Sequence, residues 1–317
     1  MTHTLTELNP GVDTFKVFKD VYYREQVHEV MTSLRAYALD LALVYRGPTG
    51  SGKSTLTEHL AYLLGTGFPE LQKKYGKELQ HHKIPGTDQT LLSKIEEKTA
   101  DFRDGFPLVS ILGHEDLDAD SLKGRPYAVG DDALWLNGTA KLAVQYGGLF
   151  YFDEPAEARP DSHTAIHSLS DYRRSLFVEG LGAIFRAVPS FGFIMSYNDR
   201  YQDARKRFKP STSQRFVHIP IGYPVPDVEM EIVKKKTGLA SDIIKQLITI
   251  AEGTRNMARL KHFTEGASPR LVINAALLIG AGEPPVSACR SCLAYPLTDE
   301  PAHLRAIELL IANQFKE

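Results

Sequence analysis

The chain has 317 residues, 43% of them hydrophobic, which is enough apolar material for one large packed domain or two ordinary ones. Its 37 Lys+Arg against 39 Asp+Glu leave a formal net charge of −2; this excludes a global basic field for gathering a polyanion, so nucleic acid is not the default partner. No apolar run reaches the roughly 18 residues needed to span a bilayer, and the start MTHTLTELNPG has no basic stretch followed by an apolar one, so the expected location is the cytoplasm.

In chain order, LALVY (41–45), PLVSIL (107–112), GLFYF (148–152), FGFIMS (191–196) and FVHIPI (216–221) read as buried strands. Helical patterns lie between most of them, and apolar strands alternating with helices predict a parallel sheet covered on both faces. Residues 1–226 are therefore expected to form an α/β domain. After Pro226 the character changes: DVEMEIVKKKTG, SDIIKQLITIAEGTRNM, SPRLVINAALLIG and EPAHLRAIELLIANQF all carry helical spacing, which predicts a smaller all-helical domain over 227–317. Residues 65–106 hold two charged helical segments, ELQKKYGKELQHHK and LLSKIEEKTADF, separated by a Pro-Gly turn. They read as an insertion, and their solvated character as that of a surface decoration. Cys289 and Cys292, in ACRSCLAYP, lack a second pair or nearby histidines, so neither zinc nor redox chemistry is expected of them.

Residues 47–54, Gly47, Pro48, Thr49, Gly50, Ser51, Gly52, Lys53 and Ser54, fit GxxxxGK[ST], with a buried strand before and the amphipathic TLTEHLAYLL after. The glycines let successive backbone N–H groups turn toward phosphates, and the helix N-terminus adds positive potential. Lys53 is placed to reach the β- and γ-phosphates of ATP, and the Ser54 hydroxyl to ligate Mg2+. GGLFYFDEP puts Asp153 and Glu154 at the end of an apolar strand, where a carboxylate pair is costly unless it serves a cation or water. Asp153 is read as holding the metal and Glu154 as polarising the water that attacks the γ-phosphate.

Asn198 follows another apolar strand, where its amide could orient that water; turn chemistry in NDR accounts for it equally well. In GASPRLV, Ser268 is an N-cap candidate and Pro269 a first helical residue, which puts Arg270 in a first turn. The helix dipole disfavours a cation there; a visiting phosphate would explain it, and so would an exposed arginine whose charge solvent screens. Arg215 closes the polar loop KPSTSQRF beside the fifth strand; it fits either a surface ion pair or a finger reaching a neighbouring subunit's phosphates.

With these residues placed, the chain resembles the MoxR-type AAA+ ATPases, the CbbQ/NorQ/NirQ group above all. GPTGSGK, GHEDLDADSLKGR, WLNGTAKLAVQYGG, FDEPAEARPD, SLSDYRR, MSYN, KPSTSQRF, GYP and EGASPR occur in that group's order, from about residue 39 to 278. The resemblance implies a five-stranded core with a helical lid, assembled as a hexameric ring of identical subunits with ATP between them. It assigns Lys53 and Thr55 to Walker A, Asp153 and Glu154 to Walker B, Asn198 to sensor 1, Arg215 to the trans-acting finger and Arg270 to sensor 2. It also makes RRSLFVEGLGAIFRAVP (173–189) a hairpin inserted in helix 2 that contacts the pore or a client. The implied function is that of an ATP-driven chaperone working with a von Willebrand factor A protein. The implied client is a metalloenzyme, either Rubisco or a nitric oxide reductase. His114, Glu115 and Asp116 of HEDL invite a metal, but consecutive side chains diverge and a loop-structuring role is the simpler reading.

Two other readings stay open on the residues alone. A small-molecule kinase would use 65–106 as a substrate lid, though Glu154 beside Asp153 suits water activation better. A DNA-remodelling motor would need a basic stripe, which the chain lacks.

Overall fold

The computed structural model describes residues 6–8, 15–129, 132–198 and 210–315. Strands β1 (Thr6–Leu8) and β2 (Lys16–Val17) precede helix α1 (Glu29–Ala38), strand β3 (Leu43–Arg46) and α2 (Lys53–Leu64). Helices α3 (Phe68–His81) and α4 (Leu91–Thr99) lead to β4 (Phe106–Leu112). Next come α5 (Ala119–Lys123), β5 (Gly124–Val129), β6 (Asp132–Asn137), α6 (Thr139–Tyr146), β7 (Gly148–Asp153) and α7 (Pro160–Ala165). The strands β8 (Ser175–Val178), β9 (Ala183–Arg186) and β10 (Phe191–Tyr197), the turn α8 (Pro210–Ser213) and β11 (Val217–Pro220) complete the α/β part. Beyond it the chain is helical: α9 (Pro226–Thr237), α10 (Ser241–Arg259), α11 (Pro269–Gly280), α12 (Pro285–Cys289) and α13 (Pro301–Gln314).

The main sheet has the order β11-β3-β10-β7-β4-β2. All five expected strands form and pair in parallel, and β2 adds an antiparallel edge beside β4. Successive residues of a strand face opposite sides, and the two sides bury different cores. Leu149 and Tyr151 of β7 join Ile194 of β10, α1 and α2 on one side, while Phe150 and Phe152 join Phe193, Met195 and α6 on the other. Covering both faces is what permits strands as apolar as GLFYF. The C-terminal helices bury a third cluster of their own, which includes Val233, Leu247, Val272 and Ile307.

The segment 65–106 is more than a decoration. Helix α3 turns Phe68, Leu71, Tyr75 and Leu79 inward and α4 turns Leu91 and Ile95 inward, all into the same core as α1 and α2. The charges that dominate its composition occupy the opposite, solvated face. Lys98 fastens α4 to the end of α1: its Nζ lies 2.5 Å from the Tyr37 carbonyl and 2.7 Å from Asp40. Burial pushes this ammonium down to about 8, with Asp40 opposing the shift. Leu79 is 0% exposed, so Leu79→Ala should cost about 2–5 kcal/mol, read from urea unfolding. Unchanged stability would restore the decoration reading.

The hairpin in 173–189 forms, with Phe177 opposite Ile184, but β8 and β9 lie between α7 and β10. It does not interrupt a helix. A second hairpin, β5–β6, lies between the helices α5 and α6, with β1 added in parallel to β6. Sequence order alone leaves these positions ambiguous, because both segments alternate between turns and short apolar runs.

Candidate functional site

The register of the sheet gathers the site. Tyr197 pairs with Arg46, Ser196 with Asp153 and Asp153 with Leu112, so β3, β10, β7 and β4 end level with one another. The glycine-rich loop, Glu154 and Asn198 therefore all emerge at the carboxyl ends of adjacent parallel strands, where ligands of open α/β sheets bind.

The loop turns through Gly50 (φ 71°) and Gly52 (φ 99°), backbone conformations that side chains rarely adopt. A Cβ on Gly50 would also fall 2.6 Å from Ser268 Oγ, because the loop before α11 packs directly on it. Helix α2 begins at Lys53, whose Nζ donates to the carbonyls of Gly47 at 2.9 Å and Pro48 at 3.1 Å. The Ser51 hydroxyl is buried with no hydrogen-bond partner. A cradle only glycine can form, with an orphaned hydroxyl in it, fits a phosphate chain.

Asp153 is held on both sides: Oδ1 accepts from Ser196, and Oδ2 lies 3.4 Å from Ser54 Oγ. The Tyr151 hydroxyl donates to Ser196 Oγ at 2.9 Å and lies 3.2 Å from Ser54 Oγ. Ser54 and Asp153 thus offer adjacent oxygen donors of the kind a hard cation such as Mg2+ prefers.

Glu154 sits at φ 48°, a left-handed conformation for a residue with a side chain, of the sort that concentrates at functional sites. Burial raises its carboxyl above the usual carboxylate range and Asp153 adds to the rise, while Lys53 and the Asn198 backbone N–H oppose it. Gly113 makes this corner possible, since a Cβ there would meet the Glu154 carbonyl oxygen at 2.1 Å.

Asn198 adjoins this group, but its amide turns elsewhere: Nδ2 donates to Thr49 Oγ1 at 3.0 Å and to Glu265 Oε1 at 2.6 Å. The turn at 199–200 and Lys209 of the polar loop lie outside the described residues. Ser268 occupies the N-cap position and Pro269 the first turn as expected, yet the Ser268 side chain makes no capping bond. Arg270 lines the nucleotide-sized cavity, and Arg215 is not among its lining residues. Instead Arg215 donates to Asp171 Oδ2 at 2.8 Å and to the Ser211 carbonyl at 3.1 Å.

The cavity measures about 420 Å3 and also takes in Tyr22, Tyr23, Gln26, Pro224, Ile232 and Ile273. Sequence reasoning missed these residues, because they come from the irregular segment before α1 and from the helical region. Tyr22 links the two, its hydroxyl donating to Glu231 of α9. Elsewhere, the His114 backbone carbonyl accepts from the Leu117 N–H at 2.9 Å and so closes a turn. Cys289 and Cys292 are free and buried, the Cys289 thiol pushed up to about 12 by burial.

A parallel sheet in this order, with a phosphate loop after β3 and paired carboxylates after β7, defines an AAA+ P-loop nucleotide-binding protein with a helical C-terminal region. The pattern of the AAA domain (dynein-related subfamily) matches residues 85–216, and that of the CbbQ/NirQ/NorQ C-terminal region matches 229–314. The Denitrification regulatory protein NirQ of Pseudomonas aeruginosa is 35% identical over 286 residues, which cover 90% of this chain and 94% of that one. Protein CbbQ of Hydrogenophilus thermoluteolus is 32% identical, covering 90% and 92%. Protein NorQ of Paracoccus denitrificans is 32% identical, covering 99% and 98%. The chain belongs to the CbbQ/NirQ/NorQ family of AAA+ ATPases.

Proposed function

We propose that this chain hydrolyses ATP between copies of itself arranged in a ring, and uses the cycle to remodel a client metalloenzyme. The observation that carries the reading is the meeting of Lys53, Ser54, Asp153 and Glu154 at adjacent strand ends, beneath Arg270 of the helical region. In this reading the loop amides and Lys53 bind the β- and γ-phosphates, and Arg270 contacts the phosphates from the lid side. Ser54 and Asp153 would hold a Mg2+ ion, which would neutralise charge on the phosphates. Glu154 accepts a proton from the attacking water, and Asn198 orients that water. Tyr22, Tyr23 and Ile273 are placed to enclose the base.

In this reading Arg215, which lies away from the cavity of its own chain, serves the site of the next subunit. The same reading takes the ring as hexameric, the partner as a von Willebrand factor A protein and the client as an enzyme of the Rubisco or nitric oxide reductase kind, as the resemblance of the sequence implies. One relative is named a denitrification regulatory protein, which is in keeping with a client from nitrogen-oxide metabolism. Phosphate release from Mg-ATP with no acceptor present tests the hydrolytic step. Strict dependence on an added small-molecule acceptor would instead make the protein a kinase. Affinity purification of the chain with a metalloenzyme and a von Willebrand factor A protein tests the partners.

A further inference from the structure

Glu265 lies in the loop between α10 and α11, and its carboxylate reaches across to the nucleotide loop. Oε1 and Oε2 each lie 3.3 Å from the Thr49 backbone N–H nitrogen, and Oε1 lies 2.6 Å from Asn198 Nδ2. The same Nδ2 donates to Thr49 Oγ1 at 3.0 Å. An amide nitrogen has two hydrogens, and these two bonds use both.

The loop that carries Glu265 is fixed to the helical region. Arg255 Nε donates to the Ala267 carbonyl at 2.8 Å, and the Ala267 N–H donates to Thr254 Oγ1 at 2.9 Å. Arg255 is itself buried in a two-pronged pair with Glu229, both bonds at 2.7 Å. Gly266 leaves no room for adjustment, since a Cβ there would meet the Arg255 backbone N at 2.6 Å. A movement of the helical region must therefore carry the Glu265 carboxylate with it.

Thr49 borders the cavity together with Lys53 and Glu154. Asn198 also gives its backbone N–H to the Glu154 carboxylate, so the donors that Glu265 holds adjoin the glutamate that the proposed function assigns to water activation. A carboxylate and a phosphate seek the same donors, and two anions brought to one set of donors repel each other. We infer that Glu265 is a lid-borne anion that competes with the γ-phosphate for Asn198 and the Thr49 amide, and thereby sets the preference between ATP and ADP. Until the lid withdraws it, Asn198 is turned from its role in hydrolysis. The inference rests on the ATPase reading and adds a specificity residue to that site.

The test uses the full chain with Mg2+, comparing calorimetric binding of ATPγS and ADP to wild type, Glu265→Gln and Glu265→Ala. The glutamine keeps the shape and can still accept both bonds without the charge, so it carries the test if the alanine variant unfolds. Glu265→Ala should bind ATPγS about tenfold more tightly, or about 1.4 kcal/mol, and Glu265→Gln, which loses the repulsion but keeps the bonds, about threefold, while ADP affinity stays within about twofold. Equal changes for the two nucleotides, or weaker ATPγS binding, would overturn the inference while leaving the ATPase reading intact. A wild type that binds neither nucleotide would overturn both.

Discussion

Glu154→Gln is expected to keep nucleotide affinity within a fewfold and to lower ATP turnover by about 10²–10⁴, the usual worth of a positioned general base. The substitution is nearly isosteric, so it preserves the left-handed corner at φ 48° and its fit against Gly113. What it removes is the proton acceptor. Single-turnover hydrolysis alongside a binding isotherm separates the two effects, and full turnover by the variant would remove Glu154 from the role.

The pH profile adds an independent check. Burial raises the Glu154 carboxyl, so the ionised, active form is lost on acidification sooner than for an exposed glutamate. Turnover should rise with pH through that raised value, and kcat/KM, which reports the free enzyme, is the quantity to follow. In Glu154→Gln the limb should vanish from whatever residual activity remains. A profile of the same shape in both proteins would assign the limb to another group.

Arg215→Ala is expected to lower turnover by about 10³–10⁵ if the guanidinium stabilises charge on a neighbour's phosphates. The competing reading is a partly buried ion pair with Asp171, a contact worth on the order of 1 kcal/mol of stability that would leave the chemical step untouched. That gap makes the measurement decisive. Asp171 also binds Arg173, whose bond holds its carboxyl below the usual range, so a carboxylate remains to orient Arg215 at ordinary pH. Mixing Arg215→Ala with Lys53→Ala should restore part of the activity, because some interfaces then pair an intact loop with an intact arginine. No recovery at any ratio would argue for action within one chain.

Several features were legible because each is carried by a few contiguous residues. The phosphate loop is one, since eight neighbours supply its turns, its cation and its metal-facing hydroxyl. The strand runs are another, since residues such as 148–152 are too apolar to sit anywhere but between two covered faces. The segment 65–106 misled for a physical reason: its surface charges outnumber the stripe of Phe68, Leu71, Tyr75 and Leu79. Composition averages over both faces of a helix, but burial depends on only one. Gly113 gave a weaker signal, a glycine directly after a strand, whose use appears only when the Glu154 carbonyl is seen against it.

By itself, then, the sequence determined the nucleotide loop, the carboxylate pair, the parallel strands and the family, all of which act through local backbone and regular periodicity. The tertiary structure alone decided that 65–106 joins the core, which tyrosines enclose the cavity, and that Glu265 meets Thr49 across 216 positions. Such meetings depend on how separately buried cores pack against one another. No spacing along the chain encodes that geometry.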